Sequence, residues 1–574
     1  MKKIVLAAVL ALAGLAVVAA GPAVAATWKG PQHEYVVLYE EGVSLAAARL
    51  AVRSAGGVIV RENTAVGVAT VTSVDPAFRI SVLRERALEG AARSRPIGTA
   101  LPNGQLKPSK KPNIVERLSA AERRSARQAR VGGDAWVDRV AASSVAPEPL
   151  APRQWDMRMI HATADGSYAV QPGDPGVRVG IIDTGIDGTH PDLAPNFDGT
   201  LSRNFTMDIP FVEGQEIDGP CEFPSCVDPN NWDDNSHGTH VAGTVGAALN
   251  GLGIAGVAPK VTLVNLRAGQ DSGFFFLQPS VDALTYAGDH GIDVVNMSYF
   301  IDPWLYNCAD NPADSPAEQQ EQRTIIAATQ RALDYAYENG VTLVAALGNE
   351  HTNIDNPTID TISPDFPPGH EKTRNVDNSC LTMPTEGNGV IGVVALGPST
   401  IKADYSNYGT ERTIVSAPGG YFRDLLGTPQ HRTVENLILS TYPERLGRLF
   451  GDIDPGGNPT TPFVVRDCQG GVCAYYQYLQ GTSMASPHAA GVAAVIVSGR
   501  GHNDPKLGGL TEKPKQVEHW LVKTATDHAC PDPPLIDYGP VGRPDEYDAL
   551  CVGTAEFNNI WGHGIVDALA AAKK

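Results

Sequence analysis

Gly481-Thr482-Ser483-Met484-Ala485-Ser486-Pro487-His488 opens a run in which small residues recur at helical spacing through Ala489, Gly491 and Ala493 towards Gly499. A helix with such a face packs closely against its neighbours. Ser483 falls at or just before the first turn, where free backbone N–H groups and the positive end of the helix dipole favour developing negative charge. Serine is a weak nucleophile until a base takes its proton, so the reading turns on whether the chain supplies a base and an acid to orient it.

Both are marked upstream. Val177-Arg178-Val179-Gly180-Ile181-Ile182-Asp183-Thr184-Gly185-Ile186-Asp187 is an apolar run broken by turn residues, the pattern of a buried parallel strand whose carboxyl end carries Asp183. Asn235-Ser236-His237-Gly238-Thr239-His240-Val241-Ala242-Gly243 places His237 in the first turn of a helix that Ser236 is expected to cap. A fourth element, Val344-Ala345-Ala346-Leu347-Gly348-Asn349-Glu350, puts Asn349 at the end of another buried strand. Singly, these are a helix cap, two turn formers and a surface histidine. Together they set an acid, a base and a serine in one of the three known chain orders of the hydrolytic triad.

In these motifs the chain resembles the secreted subtilisin-like serine proteases. The resemblance implies an α/β fold, a parallel sheet with helices on both faces in three layers, preceded by a small α+β propeptide domain. It implies Ser483 as nucleophile, His237 as general base and Asp183 as the group that orients it. Asn349 and the Ser483 N–H would donate to the oxyanion. The strand Asn296-Met297-Ser298 would line the substrate cleft; the family continues with a small residue and Gly, whereas this chain continues Tyr299-Phe300-Ile301, which leaves side-chain preference unassigned. Calcium is the implied cofactor, held by Asp192, Asn250 and the carbonyls of Ala248, Leu252 and Ile254, oxygen ligands that suit a hard cation. No counterpart of the family's N-terminal ligand is legible.

Domain organisation follows from composition. Met1 to about Ala26 has two lysines, an apolar run and a small-residue exit at Ala23-Val24-Ala25-Ala26, a secretory signal peptide without a lipid-accepting Cys. No later segment has the roughly 18 consecutive apolar residues of a membrane span, so a secreted, extracellular protein without a membrane anchor is expected. Residues 34–92 read as a small unit: strands at Tyr35–Tyr39, Val58–Arg61 and Val66–Val71, helices at Ser44–Ser54 and Pro76–Ala91. Their order resembles the inhibitory propeptide of the same family. Residues 93–150 form a basic, exposed spacer that offers a processing site, and 151–574 is the peptidase-like body. Strands are expected at Val261–Leu266, Ile292–Met297, Val341–Ala346 and Val390–Leu396, with helices at Val281–His290 and Thr324–Asn339; this alternation itself means a parallel sheet covered on both faces. Polar, Pro-rich insertions fall near 206–233, 301–322, 350–388 and 420–475.

The net charge is −19. Residues 1–146 hold 20 Lys+Arg against 11 Asp+Glu, leaving 25 against 53 for the rest. A basic pro-segment facing an acidic body favours their association. The basic run lacks interleaved aromatics, so nucleic acid is not an expected partner. The expected partners are protein or peptide substrates and the chain's own propeptide as intramolecular inhibitor, with the protein a monomer. Eight cysteines in an exported chain imply bridges, and sequence alone allows 105 connectivities. Cys221 with Cys226 and Cys468 with Cys473 are close pairs; of the remaining four, Cys308 with Cys380 and Cys530 with Cys551 are the pairs expected to tie down longer loops, with the connectivity left open. The alternative from another class is a secreted binding protein that keeps the fold without activity, which the retained Asp183, His237, Asn349 and Ser483 disfavour. A serine-carboxyl peptidase, with Glu as base, is disfavoured by His237.

Overall fold

The computed structural model describes residues 33–94, 122 and 145–573. The expected signal peptide and nearly all of the expected basic spacer lie outside the described residues. At the centre is a seven-stranded parallel sheet in the order Thr413–Pro418, Val390–Leu396, Thr342–Ala346, Val294–Met297, Arg178–Ile182, Thr262–Arg267 and the short Arg203–Asn204. Every pairing among them is parallel. Strands covered on both faces need apolar residues on both, and Val390–Leu396 is buried along its whole length.

The chain winds outward from Arg178–Ile182 in one direction to Thr262–Arg267, then crosses back to Val294–Met297 and proceeds the other way. Arg178–Ile182 is therefore the strand at which the winding reverses, and in open α/β sheets the crevice beyond the carboxyl end of such a strand is where ligands bind. Asp183 is the next residue. The helix Thr482–Arg500 lies within the main hydrophobic core; Met484, Ala485, Ala489, Ala490, Val492 and Ala493 all have no exposed surface. Its alanines and glycine allow the close approach that the sequence pattern requires.

The helix expected at Thr324–Asn339 is longer, Pro316–Glu338. It begins with a capping box in which the Ser315 side chain takes the N–H of Glu318 and Glu318 returns to the N–H of Ser315, with Pro316 in the first turn. The insertion assigned to 301–322 thus contains the first turns of this helix. The insertion near 420–475 carries a sheet of its own, Ile438–Thr441, Val472–Leu479 and Val464–Gln469, antiparallel and built on buried Tyr475, Tyr476 and Tyr478. All eight cysteines are paired: Cys221–Cys226, Cys308–Cys380, Cys468–Cys473 and Cys530–Cys551. Among the described residues no helix is long and apolar enough to cross a membrane.

The N-terminal unit is a four-stranded antiparallel sheet with the helix Leu45–Ser54, capped by Ser44, and a short helix Phe78–Val82. Its second helix is shorter than the expected Pro76–Ala91, because Leu88–Arg93 is a strand paired with Tyr35–Tyr39. Tertiary packing overrides local preference there. This strand lies on the helix Pro316–Glu338 so closely that a Cβ at Gly90 would stand 2.2 Å from Gln320 Nε2 and 2.4 Å from Thr324 Oγ1. Opposite charges line the contact. The Arg93 N–H donates to Glu321 Oε1 at 2.7 Å, Arg79 approaches Glu321 at 3.4 Å, and Arg61 pairs with Asp282 at 3.1 Å. From the other side Arg331 reaches Glu41, Glu89 and the Tyr39 carbonyl.

Candidate active site

Asp183, His237 and Ser483 come from three separate elements, the strand Arg178–Ile182 and two helices that pack on one another, and are 0, 5 and 2 % exposed. His237 Nδ1 lies 2.7 Å from Asp183 Oδ1, and the same oxygen accepts the Thr184 N–H at 2.7 Å. The motif glycines make this approach possible. A Cβ on Gly238 would fall 2.2 Å from the Gly185 carbonyl oxygen, so the His237 helix could not come down onto the Asp183 loop with any other residue there.

The helix His237–Gly246 is not capped by the side chain of Ser236, which occupies the cap position at φ 88°. Asp233 does the work instead. One carboxylate oxygen accepts the N–H groups of Asn235 and Ser236 and the Thr184 hydroxyl; the other accepts the N–H and hydroxyl of Thr239. It satisfies orphan donors at the helix start and ties them to the residue following Asp183. Arg445, in an insertion, stacks 4.2 Å over Trp232 and donates to the Asp233 carbonyl at 3.0 Å. Sequence inspection passed over Asp233, although Asp four residues before a helical His is a legible capping signal. Asp233→Ala strands five donors in a site where Asp233 is 1 % exposed. A loss of about 3 kcal/mol or more is expected, read by guanidinium unfolding in a Ser483→Ala background; a loss below about 0.5 kcal/mol would contradict this role.

Ser483 occupies the first turn of its helix, with Gly481 at the cap. Pro487 has no N–H to offer the Ser483 carbonyl, and the Ser298 hydroxyl takes its place at 3.2 Å. Ser298 Oγ also accepts from Asn296 Nδ2 at 2.9 Å and lies 2.9 Å from Ser486 Oγ, which donates to Asn296 Oδ1 at 2.8 Å. The side chains of Asn296 and Ser298 thus face inward and anchor the start of the Ser483 helix, while Met297 lies in the core beside Val281 and Leu284. What Ser298 presents to the nucleophile is its carbonyl, 3.4 Å from Ser483 Oγ. Beyond it Tyr299 is buried and stacks on Phe275 at 4.2 Å. Asn349 follows Thr342–Ala346; its Oδ1 accepts the N–H and hydroxyl of Thr482 at 2.9 and 3.0 Å, which turns the donor end of the amide away from Thr482.

The model of the subtilase family of peptidases matches residues 174–564. The chain belongs to the subtilase family. It is 29 % identical to subtilisin DY of Bacillus licheniformis over 351 residues, 61 % of this chain and 84 % of that one. Thermitase of Thermoactinomyces vulgaris is 26 % identical over 349 residues, 61 % of this chain and 79 % of that one. Among solved structures, the epidermin leader peptide processing serine protease of Staphylococcus aureus superposes with a TM-score of 0.58 at 19 % identity, covering 95 % of this chain and 98 % of that one. Fervidolysin of Fervidobacterium pennivorans gives 0.53 at 22 % identity, covering 95 % and 61 %. This subtilase is a subtilisin-like serine endopeptidase.

The loop expected to bind calcium closes around two carboxylates. Asp192 has no exposed surface; its Oδ2 accepts from Tyr476 Oη at 2.6 Å and the Ile254 N–H at 3.2 Å, while its Oδ1 meets no hydrogen-bond donor. Burial pushes this carboxyl up to about 7, against the hydrogen bonds from Tyr476 and Ile254. Asn250 Oδ1 accepts the Leu252 N–H at 3.0 Å, shaping the turn that carries Ala248, Leu252 and Ile254. The sequence left one ligand unplaced. Glu148, 5 % exposed, accepts the Gly251 N–H at 3.1 Å on the same loop and leaves its buried Oε2 without a donor. Two orphaned carboxylate oxygens beside a loop of carbonyls fit a hard, oxygen-preferring cation.

Proposed function

We propose that this subtilase is a secreted endopeptidase made as a zymogen, and that Asp183, His237 and Ser483 hydrolyse peptide bonds through an acyl-enzyme. The 2.7 Å contact between His237 Nδ1 and the buried Asp183 carries the reading, because it fixes the tautomer whose Nε2 can take a proton from Ser483. Ser483 Oγ attacks the scissile carbonyl, His237 removes its proton and returns it to the leaving amine, and Asp183 stabilises the imidazolium. The Asn349 amide and the Ser483 N–H at the helix start donate to the oxyanion. Water releases the acyl group by the same route. Incubation with an unbiased peptide library, with cuts mapped by mass spectrometry, tests the activity; intact peptides after exposure to active-site-competent protein would contradict it.

The base mechanism has a pH signature. His240, one turn along the same helix, is pushed down to about 3, first by burial and further by the nearby His237, against hydrogen bonds to Ile438 and Gln477 carbonyls. It stays neutral, so the activity should follow His237. Since only neutral imidazole accepts the proton, kcat/KM should fall as pH drops through the imidazole range near 6.5 and stay high into mild alkali. An optimum at pH 3–4 would overturn the histidine base.

We assign the calcium ligands to Asp192, Asn250, the carbonyls of Ala248, Leu252 and Ile254, and Glu148. Bound there, calcium supplies positive charge that ties the Glu148 segment to the loop. An ion at a hundred times its Kd contributes about 2.7 kcal/mol of stability. Chelation is therefore expected to lower Tm, and Glu148→Gln and Asp192→Asn should each remove part of that shift. Equal chelator responses in the parent and both variants would rule out the assignment.

The N-terminal unit is assigned as propeptide and inhibitor. Its support is the contact with the helices Leu277–Asp289 and Pro316–Glu338, where Glu321 and Asp282 of the body pair with Arg79 and Arg61 of the unit and Glu321 also accepts the backbone N–H of Arg93.

A further inference from the structure

Asn349 follows Gly348, whose φ of 109° lies in the left-handed region, so the loop leaving the strand Thr342–Ala346 needs support from outside itself. A second loop, residues 402–408, supplies it. Asn407, 3 % exposed, grips the chain on both sides of Asn349. Before Asn349, the Asn407 N–H donates to the Gly348 carbonyl at 3.0 Å and Nδ2 donates to the Leu347 carbonyl at 3.1 Å. After it, Oδ1 accepts the N–H groups of Glu350 and Thr352 at 3.1 and 2.8 Å, and Nδ2 donates to Glu350 Oε2 at 2.7 Å. The amide oxygen meets donors and the amide nitrogen meets acceptors, so the side chain has one orientation. A Cβ on Gly348 would stand 2.3 Å from Asn407 Nδ2, and the two loops therefore meet with no room between them.

Asn407 is itself held from behind. Ser406 Oγ accepts the Ala395 N–H at 3.0 Å and donates to the Asn407 carbonyl at 3.0 Å, which ties the loop to the strand Val390–Leu396. Lys402 has no exposed surface and turns Nζ back onto the carbonyls of Ala403, Asp404 and Ser406 at 3.0, 3.4 and 2.8 Å. Its ammonium is spent on the turn that delivers Asn407. The two loops are then zipped together, the His351 N–H on the Tyr405 carbonyl at 2.8 Å and the Tyr408 N–H on the Thr352 carbonyl at 3.0 Å.

We infer that Asn407 is a positioning residue for the reaction, setting where the Asn349 backbone lies while Thr482, bonded to Asn349 Oδ1, sets which way its amide points. This rests on the reading of Asn349 as an oxyanion donor. The bonds of Asn407 run to the residues flanking Asn349, not to Ser483 or His237, so its effect passes through that donor. A donor aimed at charge that develops only in the transition state must be fixed beforehand, and a misplacement of 1 Å costs about 10²-fold in rate. Loss of Asn407 should therefore lower kcat and leave KM nearly unchanged.

The test compares Asn407→Ala, Asn349→Ala and the double variant in the full chain, matured where processing is slow by bead-bound parent enzyme that is then removed. kcat and KM are read on a fluorogenic peptide bearing a sequence that the parent cuts, per site titrated with a fluorophosphonate. Asn349→Ala should lower kcat about 10²–10³-fold, a magnitude taken from the matching change in subtilisin. Asn407→Ala should lower it about 10- to 100-fold with KM within about threefold of the parent, and the double variant should lie within about threefold of Asn349→Ala, because the two act as one unit. Losses that multiply, or a parent-like kcat in Asn407→Ala beside an impaired Asn349→Ala, would overturn the positioning role and leave the oxyanion reading standing. A parent-like kcat in Asn349→Ala would overturn both. If Asn407→Ala does not fold, Asn407→Asp decides: it keeps the acceptor for Glu350 and Thr352 but sets a carboxylate against Glu350. Adding Glu350→Gln, whose amide can donate to that carboxylate, should then raise kcat about fivefold or more, the worth of one restored hydrogen bond. No recovery in protein that melts like the parent would overturn the inference.

Discussion

Ser483→Ala is expected to abolish turnover and to leave the chain as a precursor lacking only its signal peptide. In subtilisin itself, from which this magnitude is taken, loss of the nucleophile or the base alone costs about 2 × 10⁶ in kcat. The fold should survive, since the change removes one hydroxyl from a helix held by alanine packing and by the Asn296–Ser298–Ser486 network. If the same serine makes the maturation cut in the spacer 93–150, wild-type protein should appear in the medium shortened to a start between about Arg130 and Ala151, and the variant should not. Expression in a host without extracellular proteases, followed by intact-mass measurement, reads both effects. Identical shortened products from the two forms would assign processing to another protease.

Asp183→Asn carries the second-largest expected effect. Asp183 Oδ1 accepts from the Thr184 N–H and pairs with His237 Nδ1 in a site closed to solvent. An amide of the same shape can turn its NH₂ towards the ring, which favours the tautomer with the proton on the wrong nitrogen. The corresponding change in the Ser-His-Asp template lowers kcat by about 10⁴. Here the same order is expected with KM nearly unchanged and Tm within a few degrees of the parent, because the loss is made in the transition state. A kcat within tenfold of wild type would show that His237 is not oriented by this carboxylate.

The parts of the molecule that were legible in sequence are those whose physics is local. Buried parallel strands read as apolar runs, so Arg178–Ile182, Thr342–Ala346 and Val390–Leu396 were found within a residue or so. The motif residues of the site were legible because chemistry restricts their identity and glycines fix their spacing. What escaped depends on partners distant in the chain. Leu88–Arg93 is a strand because Tyr35–Tyr39 and the helix Pro316–Glu338 flank it, although its own residues allow helix. Glu148 lies more than a hundred residues from the loop it completes, and only the fold brings its carboxylate to Gly251. The sheet of Ile438–Thr441, Val464–Gln469 and Val472–Leu479 begins inside the span that composition marks as insertion and runs beyond it to Leu479, and the register of its last strand comes from Ile438–Thr441. Asn296 and Ser298 show the converse: their motif was visible, but the work of their side chains, holding the Ser483 carbonyl that Pro487 leaves unserved, emerges only with the packing.

Everything proposed for the site depends on Ser483 being a nucleophile activated by His237. Labelling of the protein recovered from the medium with a serine-directed fluorophosphonate, followed by peptide mapping, tests it most directly. A single adduct on Ser483 is expected, formed at a rate that falls as pH drops through the imidazole range and absent from both Ser483→Ala and His237→Ala. An adduct on another residue that persists in Ser483→Ala, or no adduct on protein that cleaves peptides, would contradict it.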